Sequence, residues 1–441
     1  MRNVSDIMRD VETYMAANFA KVFDPKQFAN SRRDFAPIHQ TDLDVSFRFV
    51  TSAGIEACAE YKSDDSYTIA ISDRFASKLS TLLACLFLAD EDPYDTFEEL
   101  GASPMPAEVV EFKTLFINVA REHGVGAIWD VLSSKDCNDA YFAVLARLLH
   151  SPLKVRLVDV SAFAALMFFG CHEACHAFGG HLIYRRRRMW DMSRLTGAEF
   201  QGLMRDQYLF ELTADQAARD PLFFTVGATA LSFDNFVRSK QPVEDEKKSL
   251  PYEGIYCAAM AMGFGIATIF LLTDVLVQTS SEEDYHPPAL ERIILTLGSS
   301  LQECVTAFPP AIPAVLLRMY YERGLFEGGR RALKVWDGIG LFRKPNSTLE
   351  AFLKSKTACL LCNVAAPEII ERFGDIANRA EKLYAAMSSF GIEEKSCGQL
   401  RPTLRRFSEL HDEFAISRRN HERCRDEAIS KANDNSSQII V

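Results

Sequence analysis

Residues 171–176 read Cys-His-Glu-Ala-Cys-His, which sets His172 and His176 four positions apart with Glu173 between them, inside an apolar, helix-favouring run. On an α-helix, positions i and i+4 differ by about 40° in azimuth and about 6 Å in rise, so both imidazoles can reach one ion. Glu173 projects from the neighbouring edge of that face, where it can hold an attacking water instead of ligating. Two imidazoles, one carboxylate and an open position suit Zn2+ best, so Zn2+ is the expected cofactor. Without such a partner, a glutamate and two histidines in an apolar run are costly to bury. That cost separates a metal site from a coincidental trio on a core helix.

H-E-x-x-H occurs by chance in many helices, so the chemistry demands a third ligand. His181 follows His176 by five residues, but the long metzincin spacing would put a histidine at 182, which is Leu182. Glu211, in Glu211-Leu212-Thr213-Ala214-Asp215 on a second helix expected from near Thr196, is the better candidate. His181 is then expected to support a ligand or end the helix, held by a hydrogen bond. Asp215 lies one helical turn beyond Glu211 and can accept the outer N–H of a ligand histidine, fixing its tautomer and raising its basicity. Further on, His286-Pro287-Pro288-Ala289-Leu290-Glu291-Arg292-Ile293 predicts a proline-started helix, with His286 just before it and Arg292 about two turns inside.

H-E-x-x-H, E-x-x-A-D about 35 residues later and H-P-P-x-x-x-R-I together resemble the gluzincin zinc peptidases. The last segment is similar to that of CAAX-processing and heat-shock membrane proteases. The extension His172-Glu-Ala-Cys-His-Ala-Phe-Gly-Gly-His181 resembles the phage-exclusion (Lit-type) peptidases. This resemblance covers roughly residues 160–300 by motif. It implies that His172, His176 and Glu211 bind zinc, and that Glu173 is general base and then proton donor to the leaving amine. It also implies that Asp215 orients a ligand histidine, His286 hydrogen-bonds the oxyanion, and Arg292 holds the His286 region in place. The implied activity is zinc-dependent endopeptidase action on a protein or peptide substrate, in the Lit-type case as a triggered defence protease. A membrane-integrated protease and a non-catalytic zinc scaffold are the rival expectations.

The elements that must position these residues belong to a chain of 441 residues, long enough for two or three domains. Its 48% hydrophobic and 25% charged composition is that of a globular protein. With 49 Lys+Arg against 60 Asp+Glu, the net charge of −11 argues against a nucleic-acid partner, which needs a basic face. Neither a Walker-type nor a G-x-G-x-x-G loop is present. Eleven irregularly spaced cysteines and an N-terminus without an apolar leader predict reduced thiols in the cytoplasm. Cys171 and Cys175 are expected as small core residues rather than ligands, and Cys359 and Cys362 as buried helix cysteines.

The pattern predicts a mainly α protein (α+β) with a zincin-like core and a small sheet at its edge. An N-terminal region of 1–150 opens with an amphipathic helix over 4–22 and continues in strands from Val45, Gly54 and Ser66, the last two forming a hairpin around Lys-Ser-Asp-Asp. As an edge strand, Ser-Tyr-Thr-Ile-Ala-Ile-Ser from Ser66 could take an extended substrate; otherwise it is an ordinary half-buried strand. The catalytic domain is expected over 151–305, a helical domain over 306–428 and a disordered tail over 429–441. Residues 254–273 carry no charge over a bilayer's length, but no Lys/Arg cluster adjoins them. A helix buried in protein is therefore expected there, with a membrane helix as the alternative. Arg185–Arg188 is expected as a solvated turn, or else as a contact for an acidic protein or lipid headgroups.

Overall fold

The computed structural model describes residues 8–13, 44–51, 57–63, 66–73, 152–189, 205–215, 253–277, 292–293 and 320–325, with shorter runs and single positions elsewhere, and only the backbone at 152–155, 189, 253 and 271–277. These residues are mostly helical, with one three-stranded sheet. The sheet comprises β1 (Asp44–Val50), β2 (Ala57–Ser63) and β3 (Ser66–Ser72), in the order β1-β3-β2. β2 and β3 form the expected antiparallel hairpin, whereas β1 lies parallel to β3 on its other side. Register aligns Phe47 with Ile69 and Ala59, and Val45 with Tyr67 and Tyr61, so one face is apolar across all three strands. Tyr61 and Tyr67 meet edge to face at 5.8 Å.

β3 is the central strand, which overturns its expectation as a substrate-taking edge. Its N–H and C=O groups serve two ladders and leave none for a third chain. The alternation of Thr68, Ala70 and Ser72 with Tyr67, Ile69 and Ile71 reads as half-exposed, yet all six are at most 2% exposed. Small side chains let the second face be covered, and the Thr68 hydroxyl is satisfied by Ser46 Oγ at 2.9 Å. The edges among the described residues are β1 and β2. On β1, the Phe49 N–H already donates to Glu12 Oε1 at 2.7 Å. Glu12 belongs to helical residues 8–13, the described part of the 4–22 expectation, where Val11 is fully buried.

Three helices carry the rest: α1 (Pro152–Phe178), α2 (His181–Met189) and α3 (Glu253–Val277). α1 packs against α3 along one side and against β2 and β3 on another. By length and composition it is the one described helix able to cross a membrane, but 83% of that apolar stretch is buried inside the protein. Gly254–Phe270 of α3 is a shorter apolar helix and is buried throughout, as expected of a helix packed in protein. Small residues allow the close approach. Ser161 Oγ donates to the Ala261 carbonyl at 2.6 Å, and a Cβ on Gly265 would overlap the Ser161 carbonyl. Phe168 and Phe270 close the contact edge to face at 5.2 Å, each burial stabilising by roughly 1.5–3 kcal/mol.

The four-arginine run is not a turn but part of α2, with Arg185, Arg186 and Arg187 exposed. α1 ends at Phe178, and Gly180 then adopts φ 71°, a left-handed conformation that glycine takes without strain. The chain reverses there and resumes as α2. Arg188 is drawn inward, donating to Asp206 Oδ2 at 2.6 Å and to the Tyr184 hydroxyl at 2.8 Å. Residues 320–325 and 327–329 are helical pieces of the 306–428 region. Cys359, Cys362 and the 429–441 tail lie outside the described residues.

Candidate metal centre

The C-terminal turns of α1 present His172 and His176 to the helical segment 205–215, whose buried Phe210, Leu212 and Ala214 fix it against the core. His172 Nε2 and His176 Nε2 converge at 3.1 Å. Glu211 Oε2 lies 3.1 Å from the first, and Glu211 Oε1 lies 3.5 Å from the second. These contacts use both oxygens of Glu211; with one donor atom taken from each residue, the three lie within 4.8 Å of one another, close enough to share one ion. The three residues are buried, at 2%, 7% and 5% exposure. Two ring nitrogens that face each other can share only one proton, whereas an ion between them uses both lone pairs. The group can therefore hold a metal ion.

His172 is oriented by charge. Its Nδ1–H donates to Asp215 Oδ1 at 2.9 Å, and Asp215 accepts a fork from Arg292, Nε to Oδ2 and Nη2 to Oδ1, both at 2.7 Å. Burial alone would raise the Asp215 carboxyl, but the charge and hydrogen bonds of Arg292, with those of His172, hold it below the usual range. Burial likewise pulls the His172 imidazole down, yet the hydrogen bonds and charges of Asp215 and Glu211 outweigh it and lift its pKa to about 10. A proton between two carboxylates marks where a cation is favoured. Arg292 also lies over the Phe270 ring at 4.4 Å, tying this charge system to α3.

His176 is oriented without charge. The Thr213 hydroxyl donates to the Phe210 carbonyl at 3.0 Å, so toward His181 Nε2, at 3.4 Å, it can only accept. His181 therefore carries its proton on Nε2 and offers Nδ1 as acceptor to His176 Nδ1–H at 3.0 Å. That leaves His176 Nε2 as a lone pair facing the ion position. Burial above all, then the neighbouring His176, keeps the His181 pKa well below its ordinary value, so the ring stays neutral. The reversal at Gly179-Gly180 returns His181 onto His176. A Cβ on Gly179 would sit 2.7 Å from His181 Nε2, so only glycine leaves room for the ring. Phe210 stacks on the other face of His181 at 4.2 Å.

The structure thus brings His172, His176 and Glu211 together and places Asp215 and His181 behind the two imidazoles. His181 turns its nitrogens to His176 and Thr213, so Glu211 is the third member of the cluster. Arg292 was expected to steady the His286 region; its guanidinium is committed to Asp215. Glu173 is half-buried on α1 beside the ligands. His286 lies outside the described residues; its neighbour Pro287 is buried. Cys171 and Cys175 are core residues, and burial pushes the Cys171 thiol up to about 12, so it stays protonated. Sequence reasoning missed Gln207, whose Nε2 donates to Glu211 Oε1 at 2.7 Å, and also missed Thr213. The spacing 207, 211, 215 is one helical stripe and could have revealed Gln207; nothing local marked Thr213. Phe75 stacks on Phe169 at 5.1 Å and Phe169 on His172 at 6.1 Å, joining the helical residues that follow β3 to the site.

Comparison with known proteins returns no match: no family model, no curated protein and no solved structure aligns with the chain. The functional reading therefore rests on the geometry of these residues.

Proposed function

We propose that the chain is a zinc-dependent endopeptidase with a zincin-like core. The observation that carries this is the buried His172–His176–Glu211 triangle with the outer nitrogen of each imidazole already engaged. Structural zinc sites close with four protein ligands, whereas three among the described residues leave a position for water or substrate. Zn2+ fits this donor set, and when bound it supplies Lewis-acid activation of water and of a carbonyl group. Asp215 and His181 hold the imidazoles in the ligating tautomer, and Gln207 holds the Glu211 carboxylate. Glu173, on the adjacent edge of α1, takes a proton from the attacking water and returns it to the departing amine. His286, one residue before the buried Pro287, is the candidate donor to the developing oxyanion. The resemblance to Lit-type peptidases extends the proposal to a cytoplasmic defence protease cleaving a host protein.

The test compares new protein N-termini produced in a cell extract by the zinc-loaded chain and by Glu173→Gln. Removing a general base costs about 10²–10⁴-fold in rate, so the variant should bind zinc in full yet lose the cleavages. Equal cleavage by both proteins would refute the general-base role of Glu173, and cleavage by neither would leave a zinc scaffold as the better reading.

A further inference from the structure

We propose that Gln207 is a positioning residue that makes Glu211 a one-oxygen ligand, and so keeps the coordination sphere of the candidate metal centre open to substrate. The inference rests on the metal-binding part of the proposed function. It deepens that reading by naming the residue that sets how many positions the ion has left.

Glu211 faces the two imidazoles with both of its oxygens. Oε2 lies 3.1 Å from His172 Nε2, and Oε1 lies 3.5 Å from His176 Nε2. Carboxylates bind cations through one oxygen or through both, so the choice must be made by whatever else holds the group. Gln207 makes it. This half-buried residue sits one turn before Glu211 on the helical segment 205–215. Side chains lean toward the N-terminus of their helix, which carries the Glu211 carboxylate back over the turn that holds Gln207. An ionised carboxylate only accepts, so the amide must turn its NH2 toward it, and Gln207 Nε2 donates to Glu211 Oε1 at 2.7 Å. That is the length of a hydrogen bond strengthened by charge. Oε1 thus has a lone pair committed and part of its charge drawn off, which leaves Oε2 as the better donor to a cation.

The consequence is an open sphere. Two imidazoles and one carboxylate oxygen leave a four-coordinate ion one further position, and catalytic zinc can take a fifth ligand during reaction. A second oxygen from Glu211 would fill that room. Asp215, the next residue of the same stripe, is spent on His172 and Arg292, so it does not compete for Glu211. A lysine at position 207 could also hold Oε1, but it would set a cation beside the ion. The amide fixes the oxygen without that repulsion.

The experiment loads the full chain with Co2+, whose visible ligand-field bands weaken several-fold when four ligands become five. Gln207→Met keeps the length of the side chain and removes the donor, whereas Gln207→Lys keeps a donor and changes the charge. Expected are intense four-coordinate bands in the wild type and in Gln207→Lys, and several-fold weaker bands in Gln207→Met, with the site filled in all three. A residue needed only for packing would give the reverse order, because methionine matches glutamine more closely in shape and charge. X-ray absorption fine structure of the zinc-loaded wild type reads the same property without a variant, and should show a first shell of about four nitrogen and oxygen atoms. A shell containing both Glu211 oxygens, or an unchanged cobalt spectrum in Gln207→Met, would overturn the proposal. Failure of the wild type to bind either ion would overturn it together with the metal site. Peptide turnover separates it from the peptidase reading. If the spectra behave as expected and the wild type cleaves no peptide, the role of Gln207 stands and the peptidase reading falls.

Discussion

Asp215→Asn strikes the residue through which the candidate metal site is tied to the fold. Its two oxygens receive three N–H groups, one from His172 at 2.9 Å and two from Arg292 at 2.7 Å. An asparagine amide has one acceptor oxygen, so whichever way it turns, its NH2 faces a donor. The Arg292 charge, only 3% exposed, loses its counter-charge. Breaking a buried pair in this way costs about 3–5 kcal/mol of stability. The effect on metal is separate, because His172 loses the acceptor that fixes its tautomer. Losing such a partner typically weakens binding about 10–100-fold, or about 1.4–2.7 kcal/mol. Removing both charges with Asp215→Leu/Arg292→Met tells the two apart. Apolar replacement of a whole buried pair is often neutral, so stability should return to within about 2 kcal/mol while zinc binding stays weak. Denaturant melts of the metal-free proteins give the first quantity, and zinc competition against a chromophoric chelator gives the second. An Asn variant that holds zinc like the wild type, or a double variant that regains zinc affinity, would refute the orienting role.

Two further outcomes are expected. Thr213→Val removes the acceptor for the His181 Nε2–H, so zinc affinity should fall about tenfold, and His181→Asn should retain more affinity than His181→Phe; equal affinities across the three variants would disprove the neutral relay. For the metal-free protein, the His172 pKa is raised from 6.5 to about 10, so the bound proton stabilises the fold fully below pH 6.5 and its contribution is lost as pH rises toward 10. The unfolding free energy from denaturant melts should drop over that window more in the wild type than in His172→Gln, by an amount on the order of a few kcal/mol, and zinc should flatten the drop. Parallel curves for the two proteins would contradict it.

Much of the site could be read from local spacing. His172 and His176 share a face because they are four apart, and Asp215 falls one turn beyond Glu211 for the same reason. The strands and the β2–β3 hairpin were also legible, since alternation and an Asp-rich turn are local signals. Strand order was not. A hairpin has two edges, and only the long-range seating of β1 beside β3 decides which is used up. The helical state of Arg185–Arg188 was hidden for a related reason. A run of four charges has no apolar period of its own, and α2 is held by Ile183, Tyr184 and the Arg188–Asp206 pair, which lies across the chain. Arg292 was found by motif, but its partner was not, because the pair closes over 77 residues of sequence.

The two candidate ligand histidines are supported differently, and under the proposed function that difference has a chemical consequence. His172 leans on a carboxylate that is itself neutralised by Arg292, whereas His176 leans on an uncharged imidazole and a hydroxyl. Counting Glu211, Asp215 and Arg292, the site carries one net negative charge. A second carboxylate behind His176 would make it two, holding a cation more tightly but leaving less of its charge to act on water and carbonyl. The neutral relay gives geometric control of His176 without that added charge. Orientation without neutralisation suits an ion that must polarise substrate, whereas a scaffold site gains from every extra anion. Replacing His181 with Glu should therefore tighten zinc binding while slowing peptide hydrolysis. A variant improved in both would show that the choice of a neutral partner serves no catalytic purpose.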